Sequence, residues 1–209
     1  MTTRFLQRSL FALAAWIVCA AAAQAGGNLI KDGSFEKPVV PDGSYVGYAT
    51  GDTITKSWSV VGAAGVVDLI STDFTQNGFS FPARTGAQWL DLTGTSNTPT
   101  GVQQMIKTVP GATYRIGVAV GNVYDPKGIF GISSTVDVLV DGEPIAAFTN
   151  SGRSKKKLKW RKFSTEFTAQ GSKTTIAFLN GDPSSDTCNG IDGVTVTRVD
   201  DAATDGSDD

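Results

Sequence analysis

The 209-residue sequence contains no histidine and only two cysteines. Without histidine, the chain has no serine–histidine triad and none of the zinc sites that use imidazole ligands. Because Cys19 lies in a segment that we assign to a cleaved leader, Cys188 is the one thiol left and no intrachain disulfide is expected. The remaining polar side chains are carboxylates, hydroxyls, amides, lysines and arginines, which leaves oxygen-ligated cations open.

The chain also lacks a hydrophobic run long enough to span a membrane comfortably. Its longest apolar stretch, residues 10–23, follows Arg4 and Arg8 and precedes the small-residue site Ala23-Gln24-Ala25. This order is typical of a secretory signal peptide, so we assign residues 1–25 to one. We therefore expect a secreted protein, extracellular or periplasmic, without a membrane anchor.

Apolar residues larger than alanine are absent from residues 200–209, which are rich in aspartate. This composition is typical of a disordered acidic tail. Residues 26–199 remain as one domain. The formal net charge of the chain is −2, and together with export this argues against nucleic acid as a partner.

Helical periodicity is scarce, whereas glycine is abundant and several segments alternate apolar and polar residues. An Asp141-Gly142 pair directly follows one of these segments and predicts a hairpin. Short alternating segments between turn residues predict an all-β fold, an antiparallel β-sandwich. The predicted strands include residues 88–92, 113–120, 135–140, 163–167, 174–179 and 189–197, with a turn at residues 170–172 joining two of them.

The last of these segments, NGIDGVTVT, carries a carboxylate among apolar positions. Val194 and Val196 share one face, and Asp192 shares it too if the strand runs regularly through Gly193. Asp192 is then expected to point toward the core. A buried carboxylate requires a partner charge, a metal or several hydrogen-bond donors.

Two terminal segments carry a resemblance to a known family. NLIKDGSFE (28–36) and GIDGVTV (190–196) resemble the first and last strands of galactose-binding-like jelly rolls, which include many carbohydrate-binding modules. With the segments between them, the chain resembles the plant cell-wall proteins of the domain-of-unknown-function 642 family and bacterial choice-of-anchor C proteins. The resemblance implies a secreted, non-catalytic jelly roll that associates with polysaccharide, with its first and last strands side by side.

The same resemblance implies a structural calcium ion between those two strands. Glu36 and Asp192 are the candidate ligands, although Gly193 stands where the family has a second aspartate. Two acids with backbone carbonyls can form a hard-cation site. The alternative is that each carboxylate accepts hydrogen bonds from the backbone or from a nearby lysine or arginine.

The sequence offers candidates for ligand binding in two places, one on a predicted strand and one in a loop. Trp89 and Asp91 alternate with Leu90 and Leu92, so they stand on an open face if the leucines point to the core. An indole can stack on a neutral sugar while the carboxylate accepts from hydroxyls. The alternative places Trp89 in the core or under a loop. Tyr124, in a glycine-rich loop, either joins a binding site or plugs the end of the sandwich.

The sequence RSKKKLKWRK (153–162) is the one basic cluster of the chain. Its side chains, among them Lys157, Lys159, Trp160 and Arg161, are candidates for binding an acidic polysaccharide. The alternative is a solvated edge strand whose lysines prevent pairing with other chains.

These features favour a secreted, non-catalytic carbohydrate-binding module of cell-wall or matrix polysaccharide, with an acidic polymer slightly preferred. The second interpretation is a structural or adhesive protein of the envelope or biofilm matrix that binds protein partners. A glycosidase or polysaccharide lyase is the third interpretation. Many acidic residues are available for such a reaction, but most of them lie in turns, where aspartate is expected for backbone reasons.

Overall fold

The structure is a computed structural model that describes residues 27–183 and 187–199. The predicted signal peptide at residues 1–25 and the predicted tail at residues 200–209 lie outside these ranges. In the described part of the chain, no helix has the length and apolar character needed to cross a membrane.

The described residues form fourteen strands. They are β1 (Tyr45–Ala49), β2 (Thr53–Ile54), β3 (Trp58–Gly62), β4 (Val66–Ser71), β5 (Thr75–Gln76), β6 (Phe79–Ser80), β7 (Gln88–Asp91), β8 (Thr100–Lys107), β9 (Thr113–Asn122), β10 (Ser134–Val140), β11 (Glu143–Asn150), β12 (Lys159–Thr168), β13 (Lys173–Asn180) and β14 (Gly190–Arg198).

Twelve of the strands form two six-stranded antiparallel sheets. The front sheet has the order β1-β4-β7-β14-β9-β12, and the back sheet has the order β11-β10-β13-β8-β3-β2. Strands β5 and β6 form a separate small hairpin. The predicted antiparallel β-sandwich is confirmed.

The core between the sheets is built from the alternating apolar positions of the strands. Val118 and Val120 of β9 and Ile191 of β14 point inward from the front sheet. Trp58 and Phe178 meet them from the back sheet, with ring centroids 6.4 Å apart. This alternation is the physical basis of the strand predictions, because every second side chain of a half-buried strand must be apolar.

The predicted hairpin at Asp141 and Gly142 is present between β10 and β11. Both residues have a positive φ, 51° and 88°, as a two-residue turn of the primed type requires. The turn at residues 170–172 differs, because it joins strands of different sheets. Strand β12 pairs with β9 in the front sheet, whereas β13 pairs with β8 and β10 in the back sheet.

Residues 28–36 lie beside β14 but do not form the regular strand that the resemblance implied. The Leu29 N–H donates to the Val196 carbonyl at 2.8 Å, and the Val194 N–H donates to the Gly33 carbonyl at 2.8 Å. The chain then turns at Asp32, whose φ is 51°. The beginning and end of the domain are therefore adjacent, but left-handed backbone interrupts the ladder.

A β-bulge at Gly193 corrects the orientation predicted for Asp192. Asp192 lies opposite Ala119, and Thr195 lies opposite Gly117, so one strand holds an extra residue here. The bulge turns Asp192 onto the outer face of the front sheet, while Val194 beyond it points into the core. Asp192 is nevertheless fully buried, because a loop covers it.

That loop, residues 72–87, connects β4 to β7 and contains the β5–β6 hairpin; we call it the covering loop. It lies over part of the outer face of the front sheet and buries a second hydrophobic cluster there. The cluster includes Ile70, Phe81, Trp89, Val123, Phe130, Leu158 and Cys188. Cys188 is a free, buried thiol, and burial raises its pKa well above the ordinary value.

Candidate functional site

A groove of about 410 Å³ crosses the outer face of the front sheet where the covering loop leaves it open. Its floor is made of small side chains of β9 and β14, among them Gly117 and Ala119. Lys162 and Ser164 of β12 form one side, and Arg84 of the covering loop lies on the other. We call it the cationic groove; it is lined by Arg84, Gly117, Val118, Ala119, Lys162, Phe163, Ser164, Gly193 and Thr195.

The two cations of the groove have no acidic partner in the described ranges. The one ion pair there joins Arg115 to Glu166 at 2.8 Å, and both of its side chains are well exposed. Arg84 and Lys162 therefore present positive charge that is not neutralised within the protein. Such a groove attracts an anionic group, and a guanidinium can bind a carboxylate through two parallel hydrogen bonds.

Two carboxylates from distant parts of the chain hold the covering loop in place. The Arg84 and Thr85 N–H groups each donate to Asp192 Oδ2 at 2.9 Å. The Ala87 N–H donates to the Glu36 carboxylate at 3.1 and 3.2 Å. Burial raises the pKa of Asp192, and the hydrogen bonds from Thr85, Gly193 and Arg84 oppose that shift. The result is a fixed position for the Arg84 backbone at the groove.

These contacts match the hydrogen-bonded alternative for Glu36 and Asp192. Backbone donors point at both carboxylates, so the carboxylates are satisfied without a cation. Residues 27–183 and 187–199 contain no group of three or more acidic or cysteine side chains close enough to hold a metal ion. The donor set does not favour a calcium ion at this pair, and calcium there stays a prediction.

The basic run does not form the single surface that its composition suggests. Alternation along β12 places Lys162 in the groove and turns Arg161 away from it, where the guanidinium lies 5.0 Å from the centroid of the Phe163 ring. Lys157 and Lys159 are exposed and do not line the groove. Of this run, only Lys162 faces the site.

The tryptophans predicted for ligand binding pack beneath the covering loop instead. Trp89 is 0% exposed, and its indole N–H donates to the Phe81 carbonyl at 2.9 Å. The half-buried Trp160 lies edge-on to Trp89 at 5.8 Å, and its N–H donates to the Pro82 carbonyl. Of the two alternatives for Trp89, the open face is wrong and packing under a loop is confirmed, because the covering loop lies on that face even though Leu90 points into the core.

Tyr124 and Asp91 lie outside the cationic groove as well. The Arg153 guanidinium lies over the Tyr124 ring at 4.6 Å, so this loop aromatic pairs with a cation of the chain. Asp91 lines a second pocket of about 420 Å³ on the same outer face, together with Asp68 and Tyr45. We call it the acidic pocket. Burial raises the pKa of Asp91 to about 7 and that of Asp68 to about 6.

One known protein family matches the part of the chain that contains both sites. The family DUF642, described as a protein of unknown function, matches residues 28–197. The chain belongs to the DUF642 family. The resemblance predicted from the opening and closing segments is thereby confirmed, and the cationic groove and the acidic pocket both lie within the DUF642 domain. Among curated proteins, no relative matches the sequence significantly.

Solved structures with a similar fold include sugar-binding domains and an arabinofuranosidase. The CBM22-1 xylan-binding domain of Paenibacillus barcinonensis Xyn10C is 17% identical, with a TM-score of 0.47 over 78% of this chain and 99% of that domain. The C-terminal domain of the sugar-binding protein EclA is 18% identical, with a TM-score of 0.35 over 45% of this chain and 64% of that domain, less than two thirds of its length. The α-L-arabinofuranosidase MgGH51 is 12% identical, with a TM-score of 0.46 over 82% of this chain and 26% of the enzyme.

Sequence reasoning missed several residues of the DUF642 domain that face the two sites. Asp68 carries a recognisable signal, a carboxylate in the middle of the apolar run VVDLIS. Gly193 does too, because an isolated glycine in a strand pattern indicates a bulge. Arg84 carries none, since its position depends on how the covering loop folds back over the sheet.

Proposed function

We propose that this DUF642 domain is a secreted, non-catalytic module that binds an acidic polysaccharide of a cell wall or extracellular matrix. The observation that supports it is the cationic groove, in which Arg84 and Lys162 flank a floor of small residues and have no acidic partner in the described part of the chain. Carboxylate groups of a uronate polymer are the complementary chemistry.

The shape of the groove fits a polymer. Its volume of about 410 Å³ lies in the range of ordinary ligand sites, and it is open rather than enclosed. Gly117 and Ala119 keep the floor low, so a sugar ring can approach the sheet. The hydroxyls of Ser164 and Thr195 can then donate to and accept from sugar hydroxyls.

The composition of the groove supports binding rather than hydrolysis. A glycosidase places two carboxyl groups on either side of the bond that it cleaves. Among the described residues that line the cationic groove, none is an aspartate or glutamate. The groove can therefore hold a polymer, but its lining does not supply the acid and the nucleophile or base.

Affinity electrophoresis tests the proposal with polygalacturonate as the acidic polymer and a neutral glucan beside it. We expect Arg84→Gln and Lys162→Gln each to weaken binding to polygalacturonate about tenfold, the effect of losing roughly 1.4 kcal/mol. Retardation by polygalacturonate should fall as salt is added, because exposed charges are screened. Arg84→Gln leaves the backbone N–H that binds Asp192 intact, so the covering loop should keep its position.

Lys107→Gln is the matched control, because Lys107 is an exposed lysine of β8 in the back sheet. Equal loss of binding in this variant would mean that only net charge matters, and the groove would not be the site. Retention on envelope or matrix proteins without retention on any polysaccharide would support the adhesive alternative instead.

A further inference from the structure

The acidic pocket brings two carboxylates together on neighbouring strands. Asp68 of β4 and Asp91 of β7 are direct partners in the ladder, so their side chains share the outer face of the front sheet. Residues directly opposite in an antiparallel pair have Cβ atoms about 4.5–5.5 Å apart. The pocket is lined by Tyr45, Asp68, Ile70, Phe74, Gln76, Asp91, Gly94, Thr95, Ile129, Phe130 and Thr187.

Asp68 has no hydrogen-bond partner to explain its burial. Only 6% of it is exposed, and its buried Oδ1 has no hydrogen bond to any described residue. A buried polar oxygen without a partner costs free energy, and a carboxylate costs more than a neutral group. The Asp68 side chain also lines the pocket, so a ligand there can contact this poorly compensated carboxylate.

Hydrogen bonds to one oxygen of the Asp91 carboxylate hold it in one orientation. Its Oδ1 accepts from the Thr93 hydroxyl at 2.8 Å and from the N–H groups of Thr93 and Asn189 at 3.1 Å. None of these hydrogen bonds involves Oδ2. The bonds to Oδ1 therefore orient the carboxylate in advance, at a position directly across the ladder from Asp68.

No lysine or arginine in the described part of the chain lines this pocket. Like charges directly opposite each other on a sheet are destabilising, and burial strengthens the repulsion. A neutral sugar would leave both negative charges in place. A divalent cation would neutralise both charges together and would give the Asp68 carboxylate a ligand contact.

We propose that the acidic pocket is a binding site for a divalent hard cation of the calcium class, with Asp68 and Asp91 as its protein carboxylates. Thr95, Thr187 and Gln76 also line the pocket, and their side chains carry neutral oxygen atoms. Calcium tolerates six to eight oxygen ligands in flexible geometry, including water, which suits an open pocket with two carboxylates. This site is separate from the Glu36–Asp192 pair and does not depend on polysaccharide binding.

Sensitised terbium luminescence tests the proposal, since terbium occupies oxygen sites of the calcium class and emits when a nearby aromatic ring is excited. Tyr45 is 47% exposed and lines the pocket, so it can act as the donor. We expect emission from the full chain with terbium, and its loss on titration with calcium. Asp68→Asn should lower the affinity for calcium by at least about 10–100-fold. That is the loss of metal affinity caused by removing an outer-shell partner, and Asp68 would contact the cation directly.

Two further variants separate this site from others. Asp73→Asn removes an exposed charge of the covering loop and should leave the affinity unchanged. Glu143→Gln should also leave it unchanged, because Glu143 is an exposed carboxylate of β11 in the back sheet and lies outside the pocket. Absence of calcium-displaceable emission in the wild type would overturn the proposal. So would an Asp68→Asn variant that binds within twofold of the wild type, with circular dichroism showing that the variant is folded.

Discussion

At Gly193 the backbone has a φ of 62°, and this one residue decides on which side of the front sheet Asp192 stands. A side chain at this position would be strained, since L-residues rarely adopt such a φ. Its Cβ would also lie 2.7 Å from Arg84 Nη1. The glycine therefore serves two requirements: it forms the bulge, and it leaves room for the guanidinium of the cationic groove.

Asp68 predicts an unusual dependence of stability on pH. Burial raises its pKa from 3.8 to about 6, so the folded protein holds this proton more tightly than the unfolded chain does. The stabilisation is fully present below about pH 4 and is lost as pH rises through about 6. Asp68→Asn cannot ionise, so in chelator its Tm should exceed that of the wild type at pH 8 by a few degrees, about 2–4 °C per kcal/mol.

Thermal unfolding from pH 4 to pH 8 measures this effect. The two curves should converge toward pH 4, move apart between about pH 4 and 6, and stay apart at higher pH. Because the raised pKa of Asp91 acts in the same direction, some pH dependence should remain in the variant. Parallel curves over the whole range would show that Asp68 is not the group responsible.

At the scale of the elements, the covering loop decides which parts of the outer face of the front sheet stay open. It seals Trp89 and Trp160 beneath it, and it contributes Arg84 to the cationic groove. Its C-terminal end is held by Glu36, near the start of the domain, and by Asp192 on the last strand. Contacts between positions 51 and 108 residues apart thus position one wall of the groove.

Asp192→Ala should loosen this loop and weaken both stability and binding. The Arg84 and Thr85 N–H groups would lose their acceptor, at a cost of about 1–3 kcal/mol for a buried group left unpaired. We expect a lower Tm by thermal unfolding and weaker retention on polygalacturonate, because the Arg84 backbone is no longer held. Asp73→Ala, an exposed change in the same loop, is the control. Equal Tm values for the two variants would contradict the role assigned to Asp192.

The cation predicted for Glu36 and Asp192 can be tested separately from the acidic pocket. The Asp68→Asn background removes one carboxylate of the acidic pocket. In it, a chelator should leave the Tm unchanged if the hydrogen bonds from residues 84–87 are the only interactions of Glu36 and Asp192. A fall in Tm that disappears in Asp192→Ala would establish calcium at the pair.

For the whole molecule, the sandwich was predictable because several of its strands alternate clearly between apolar and polar residues. The segments around Val118 and Val136 have apolar residues at every second position, and Asp141-Gly142 marks the turn of a hairpin. The partners of β12 and β13 were not predictable, since sheet membership depends on contacts far along the chain.

The sites were harder to predict than the strands. Alternation along β7 puts Trp89 and Leu90 on opposite faces of the sheet, but it does not reveal that a loop covers the outer face. Likewise, the position of Asp192 required the bulge at Gly193, and the charge of the groove required Arg84 from that loop. The positions of Asp192 and Arg84 depend on irregular backbone, for which periodicity carries no information.

Export is the prediction that concerns the whole chain. With residues 1–25 removed as a signal peptide, N-terminal sequencing of the exported protein should begin at Gly26. Recovery of chains that still carry Met1, or of a lipid attached to Cys19, would contradict it.

The covering loop forms a wall of both sites, contributing Arg84 to the cationic groove and Phe74 and Gln76 to the acidic pocket. A polymer bound in the cationic groove and a cation bound in the acidic pocket would therefore both contact the covering loop. Thermodynamic linkage then requires reciprocity: whatever factor the cation applies to the affinity for the polymer, the polymer applies to the affinity for the cation.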